Sequence, residues 1–519
     1  MPFMLDVIQR KPSFLVMALV TGIFVAGCLP AQAQVDPSLS SGVPAFTSAP
    51  QVSPDPTQTP HKSDGIPTQT LSTVTPLPAK PTQPLVLGHS RGYLTTPQEL
   101  ETIKIKADQG IEPYHSSVLG VLEWADKQWD FKLQEHEKCK NSDRPAWDDN
   151  QKGTPILYAK ALAYHLTGDT KYAEEVKDIL ERIMTEVKTI SIDDPQCRLN
   201  FGWGTPELVA SADLIEDYWQ NQMCTGPTGT LYVDGTIGSG DCKILFQNWL
   251  AKNPYYVVSL SAVSNNSNWG AAATNATAYI ADYLWDRPDI SLVHRYPEQL
   301  NNGGENKRTP AEAFAYANQL ALDRMNGYTV EYISNYSCDY LGGQQQSKEW
   351  SPVKSQITEN GIIPEDARRE EYCNIPRYNG EYQNYPQLHI GNNIQQCELM
   401  LRRGDPSCYD NVDSTDIPNY KFIDPGGQIK TTHLYPGRGS LERAINAIIV
   451  DSNTVWKRDA ALSVAYRYYY WYHTTPGFDQ WHDQIDSLVE CDQDVCFGIL
   501  THAFAPGEVP GLPPTVSPP

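Results

Sequence analysis

The sequence predicts an all-α protein built of successive helical hairpins, and three observations carry that prediction. One is punctuation. In Thr96-Pro97-Gln98-Glu99 and Thr309-Pro310-Ala311-Glu312 a threonine precedes a proline and, two residues further on, a glutamate. That order suits an N-cap hydroxyl, a proline at the first helical position and a carboxylate reaching back to the cap. Thr205-Pro206-Glu207 repeats the theme. Another is period: Tyr172, Val176, Ile179, Leu180, Ile183 and Val187 recur at helical spacing and mark one buried stripe. The third is that alternating strand patterns are few and short.

Taken in order, the globular region reads as follows. Helices over Ile156–Leu166 and Tyr172–Val187 flank the break Gly168-Asp169-Thr170. Further helical runs occupy 207–219, 270–284, 311–326, 384–401, 440–450 and 457–472. The helix over 270–284 carries its stripe at Trp269, Ala272, Ala273, Ala276, Ile280, Tyr283 and Leu284, so one face should be buried. Long loops at 220–243, 327–363 and 402–436 separate these runs, and long loops in a compact domain usually carry function.

The flanks differ in kind. Residues 1–33 read as an export signal: Arg10 and Lys11 precede an apolar run, Ser13–Gly27, that is too short for a comfortable membrane span. Ala31-Gln32-Ala33 fits cleavage for secretion, whereas Val25-Ala26-Gly27-Cys28 fits a lipid anchor at Cys28. Residues 34–87, rich in Pro, Ser, Thr and Gln, cannot bury enough apolar surface to offset their chain entropy and read as a disordered tether. One domain is expected over 88–505, followed by a Pro-rich tail, 506–519. Such a protein is exported, either secreted or held at the outer or periplasmic face of a membrane, with no transmembrane domain. Setting Cys28 aside, ten of the 11 cysteines remain, an even number that suggests disulfides in an exported domain. The close neighbours Cys397/Cys408 and Cys491/Cys496 are the simplest pairs.

The formal net charge of −22 argues against a nucleic-acid partner, which needs a basic face. Cations do concentrate locally, at Arg368, Arg369, Arg377, Arg402 and Arg403. They suit either a basic groove or surface pairs with Glu365, Asp366, Glu370 and Glu371. A second stretch, Ser264-Asn265-Asn266-Ser267-Asn268-Trp269, opens the helix at 270. Its Ser and Asn side chains suit an N-cap, yet three amides in four residues exceed what a cap needs. Neutral amide donors can also hold a carboxylate.

Several short motifs share one order. Gly92-Tyr93-Leu94-Thr95-Thr96-Pro97 comes first, then Asn265-Asn266 with Trp269, then Pro364-Glu365 with Arg368, then Tyr382-x-Asn384-Tyr385 opening a helix that holds His389. In this order they resemble the polysaccharide lyases of the alginate (polymannuronate) lyase type, over most of 90–400. The resemblance implies a single large α/α toroid, an incomplete barrel of helical hairpins with long loops. It also implies a monomer that needs neither cofactor nor metal and acts on an acidic polysaccharide. It carries catalytic roles onto Asn266, Arg368 and Tyr382, with Asn265, Trp269, Glu365 and Tyr385 expected to contact substrate; by residue type alone, Trp203 suits either a sugar-stacking face or a core tryptophan, and His389 either a substrate contact or a core histidine. One departure stands out: where the family has a histidine after its paired asparagines, this chain has Ser267.

The chemistry explains the residue types. A uronate lyase removes the C5 proton beside an ionised carboxylate and expels the C4 oxygen. Donors aimed at the carboxylate must stabilise the dianionic enolate that develops, each supplying ~3–4 kcal/mol. Asn266 and Arg368 suit that task as an amide and a fixed fork of donors. A tyrosine hydroxyl, Tyr382, can protonate the departing oxygen and in its ionised form act as base. With Ser267 in place of histidine, either Tyr382 does both tasks or another histidine, His389 or His433, reaches the pocket. A glycoside hydrolase on the same architecture would instead need two carboxylates about 5–10 Å apart, with Glu365 or Asp366 as one. A third reading is a binding protein that lost catalysis with the histidine.

Overall fold

Helix α1 (Pro97–Asp108) begins as its sequence dictates. Thr96 N donates to Glu99 Oε2 at 2.8 Å while Glu99 N donates to Thr96 Oγ1 at 3.1 Å, a reciprocal cap behind Pro97. The computed structural model describes residues 92–129, 153–187, 190, 195–225, 239–265, 267–294, 306–325, 384–410, 440–451, 459–472, 478–485 and 496–502. It also describes short stretches at 328–329, 353–354, 366, 421–423, 428–431, 453 and 455–456. The chain divides into two units, Met1–Pro76 and Leu77–Pro519, and every described residue belongs to the second.

The helices that follow are α2 (Tyr114–Ala125), α3 (Gly153–Thr167), α4 (Thr170–Glu186), α5 (Pro195–Leu214) and α6 (Glu216–Trp219). Then come α7 (Cys242–Lys252), α8 (Pro254–Ser264), α9 (Asn268–Tyr283), α10 (Pro310–Met325) and α11 (Asn384–Arg402). The last are α12 (Ser440–Asn446), α13 (Asp459–Tyr472), α14 (Phe478–His482) and α15 (Gly498–His502). Strands among the described residues form four antiparallel pairs, each two or three residues long. The protein is all-α.

The α3–α4 hairpin turns at Gly168, whose φ of +75° a side chain would resist, and Asp169 then caps α4 through Lys171 N. The predicted cap at Thr309 is also present, with Thr309 N donating to Glu312 Oε2 at 2.8 Å. Thr205-Pro206-Glu207 is a correction. No helix starts there; α5 already runs from Pro195 and holds Pro206 in its interior. Pro206 sits four residues after Gly202, whose missing side chain lets α5 approach the α9 backbone. A Cβ at Gly202 would stand 3.1 Å from Ala273 N.

The helices close into a ring. Successive packing runs α2, α3, α5, α9, α11, α13, α15, and α15 returns to α1 and α2. Helices α4, α8 and α10 each pack on two members of that succession. Within it α9 and α11 run parallel, because their contacts pair residues in rising order. Gly202 lies on Ala272 and Ala273, then Asn275 meets Gln395 and Asp282 meets Arg403. Helix α9 is therefore central, and burial reaches all round it rather than along one stripe: Asn268 and 270–283 are buried throughout.

The interior is polar as well as apolar, which reverses the expectation for Arg402 and Arg403. Neither lies on the surface or in a groove. Arg403 is fully buried, with Nε 2.7 Å from Asp282 Oδ1, Nη2 2.5 Å from Asp282 Oδ2 and Nη1 2.9 Å from Gly92 O. Arg402 reaches Glu398 within α11 at 2.8 Å and Glu99, the capping carboxylate of α1, at 2.9 Å. The cap of α1 is thus tied across the ring. Burial at the ring closure pulls the His502 imidazole down to about 4. Its Nε2 lies 3.1 Å from Glu398 Oε1, without hydrogen-bond alignment.

Disulfides join Cys397 to Cys408, as the sequence suggested, and Cys224 to Cys242, which it did not. Cys197 and Cys496 are disulfide-bonded too; Cys491 lies outside the described residues.

Candidate functional site

Three of the residues expected to contact substrate meet at one end of the parallel helices. Trp203 of α5, Trp269 of α9 and Tyr385 of α11 gather with Leu199, Ala272 and Leu388 into an apolar cluster separate from the main core. Trp269 and Tyr385 are partly buried, and Trp203 is 8% exposed. Trp269 and Tyr385 stand in the first turns of their helices. Two N-terminal dipole ends therefore face this end, a setting that favours negative charge. The indole N–H of Trp203 is buried and finds no acceptor. Asn393, two turns beyond Tyr385 on α11, holds a buried Nδ2 in the same condition. Buried donors are nearly always satisfied, so the open indole N–H within the aromatic cluster suits an oxygen-rich ligand.

The Ser264–Trp269 stretch divides its work between two helix ends. Asn265 closes α8: its Nδ2 donates to Ser261 Oγ at 2.9 Å and to Ser261 O and Ser264 Oγ at 3.3 Å. Ser267 is the N-cap of α9 and accepts from Trp269 N at 3.3 Å. A fully buried capping hydroxyl is no proton acceptor for a substrate.

Two residues hold this junction tightly, and neither was singled out from the sequence. Gly270 lets α9 pass under the end of α8; a Cβ there would fall 2.0 Å from Asn265 O. Arg324 of α10 donates to Asn265 O at 2.9 Å, to Thr274 Oγ1 at 2.6 Å and to Ala262 O. A buried guanidinium thus collects the last carbonyls of α8 where its dipole is negative. An isolated Arg at the end of a helical pattern carries no signal that its target lies some sixty residues earlier.

His389 of α11 is buried, 1% exposed, and pairs with Asp366, which is fully buried: Nδ1 stands 2.9 Å from Oδ2. The pair lies one turn beyond Tyr385. Asn266, Glu365, Arg368, Tyr382 and His433 lie outside the described residues.

No family model matches the sequence, and no curated protein matches it. Among solved structures, the chain is similar to the crystal structure of an alginate lyase from Bacteroides ovatus. The two share 12% identity over 80% of this chain and 99% of that one, with a TM-score of 0.44. A likeness that distant carries no argument about chemistry, which has to come from the residues themselves.

Proposed function

We propose that the protein is an exported polysaccharide lyase that cleaves an acidic, uronate-containing, alginate-like polymer by β-elimination at the Trp203–Trp269–Tyr385 end of the helical ring. The observation that supports this most is the meeting of these three side chains, drawn from helices some 65 and 115 residues apart in sequence, around helix N-termini. Aromatic faces stack on sugar rings, and open donors with positive dipole ends suit carboxylates. The disulfides fit an oxidising compartment. Among the described residues no helix is long and apolar enough to cross a membrane.

In this reading Asn266 and Arg368 hold the uronate carboxylate and stabilise the enolate, and Tyr382 protonates the departing O4. Asn266 sits in sequence between Asn265 and Ser267, both at this end; Tyr382 precedes α11 by two residues. The test is Tyr382→Phe in the full chain. It abolishes formation of the unsaturated product while polymer binding persists, and Trp269→Ala weakens binding about tenfold, the worth of a stacked ring. A Tyr382→Phe variant with the wild-type rate refutes the proton-donor assignment.

A further inference from the structure

We infer that the buried Glu398–Arg402 ion pair is the centre of a structural water site, in which ordered water hydrogen-bonds the hydroxyls of Tyr158 and Tyr279 and the guanidinium of Arg467. The site uses none of the residues of the reaction proposed above. Tyr158 of α3, Tyr279 of α9 and Arg467 of α13 are 1%, 0% and 3% exposed. Both tyrosine hydroxyl oxygens, and Nη1 and Nη2 of Arg467, are buried without a protein hydrogen-bond partner. Around them the contacts are fixed. Arg402 Nε donates to Glu398 Oε1 at 2.8 Å and its Nη1 to Glu99 Oε2 at 2.9 Å. Tyr409 Oη donates to Glu398 Oε2 at 3.5 Å, and its ring stacks on that of Tyr468, next to Arg467, with centroids 4.3 Å apart. Tyr279 stacks on Tyr93 with centroids 4.8 Å apart. Burial first of all pushes both open phenols up; Arg402 pulls each of them down, and Glu398 raises Tyr279 further. Arg467 also acts on Glu398, so the open atoms surround one ion pair.

Water is the ligand these atoms suit. A guanidinium taken out of bulk solvent needs hydrogen-bond acceptors, and each hydroxyl can both donate and accept. Charge argues against an ion. Glu99 and Glu398 already face Arg402 and Arg467, and Glu207, which both open tyrosines feel, adds negative charge. Burial takes His502 down to about 4, so it is neutral at neutral pH and adds none. No surplus positive charge calls for an anion, and a cation would meet the open N–H groups of Arg467. The ligand is therefore neutral, small enough for a site sealed from solvent, and able both to donate and to accept. The open indole of Trp203 differs in lying beside Trp269 and Tyr385, which are only partly buried.

The sign of a conservative substitution separates a wet site from a dry one. Removing a buried hydroxyl that has no partner relieves a desolvation cost, whereas removing one bound to water loses a hydrogen bond. Tyr158→Phe and Tyr279→Phe should each raise the unfolding equilibrium constant of the full-length protein about fivefold at fixed denaturant, one hydrogen bond's worth. A crystal structure of the wild-type protein should show ordered density within about 3.2 Å of both hydroxyl oxygens and of Arg467 Nη1 or Nη2, unchanged after a bromide soak. Phe variants as stable as wild type or more stable overturn the inference. So does a site without density, and so does an anomalous bromide signal there, which would make it an anion site. None of these readouts needs turnover, so their failure leaves the lyase reading untouched.

Discussion

Replacing Arg403 with methionine should damage the fold and spare substrate recognition, which separates the observed role of this residue from that of a groove cation. In the structure its guanidinium makes two bonds to Asp282, at 2.7 and 2.5 Å, and one of 2.9 Å to Gly92 O, with both side chains fully buried. Removing one member of a buried pair leaves the other uncompensated, at about 3–5 kcal/mol. The lost bond to the Gly92 carbonyl adds about 1 kcal/mol. The single variant is therefore expected to lose about 4–6 kcal/mol of folding stability, a large part of what a domain usually has. Adding Asp282→Leu removes the stranded charge, and an apolar pair of similar volume is often neutral relative to the ion pair. The double variant should recover most of the loss. The assay is denaturant unfolding at neutral pH of wild type, both singles and the double, read as a mutant cycle. A single-variant loss under about 1 kcal/mol, or a double variant as unstable as the sum of the singles, would falsify the assignment.

Further expectations follow from other parts of the ring. His502 takes its proton at about 4 in the folded protein against 6.5 in the reference state, so the unfolded chain binds the extra proton first as pH falls. Stability is complete above pH 6.5 and declines toward 4, by about 3 kcal/mol in total. Burial pushes Glu398 up, but His502, Arg402 and Arg467 outweigh it and hold the carboxyl low, which extends the acid loss in the same direction. His502→Asn should flatten the curve between those limits, measured by unfolding at fixed pH steps. Replacing Cys224 and Cys242 with serine opens a loop of 18 residues and should cost about 3 kcal/mol, read by unfolding against wild type. Thr309→Ala removes the α10 cap and should cost about 1 kcal/mol in the same assay.

Much of the helical framework was legible, because caps and periodicity are local. The boxes at Thr96 and Thr309 and the turn at Gly168-Asp169 appear where the spacing put them. The motif at Thr205-Pro206 misled for a physical reason. A proline marks a helix start only when the preceding turn is not already helical, and close packing on Gly202 keeps that turn helical here. Arg402 and Arg403 misled because charge in a sequence does not reveal its depth. The buried carboxylates Glu99, Asp282 and Glu398 are interior partners that a local charge count cannot anticipate. Trp203, Trp269 and Tyr385 were named from the sequence, and their meeting in one cluster is what the fold adds. Arg324 was not foreseen, since it acts through contacts some fifty to sixty residues away in sequence. Ser267 was read as a missing base; in the structure it is the hydroxyl that starts α9.

The most direct test of the central claim is ultraviolet absorbance during incubation of the full-length protein with a panel of uronate polymers, alginate first. β-Elimination leaves a C4–C5 double bond conjugated to the carboxylate, so absorbance rises on at least one polymer and new reducing ends appear in step with it. Reducing ends without that absorbance, or no change on any polymer by a protein shown to be folded, contradicts the account.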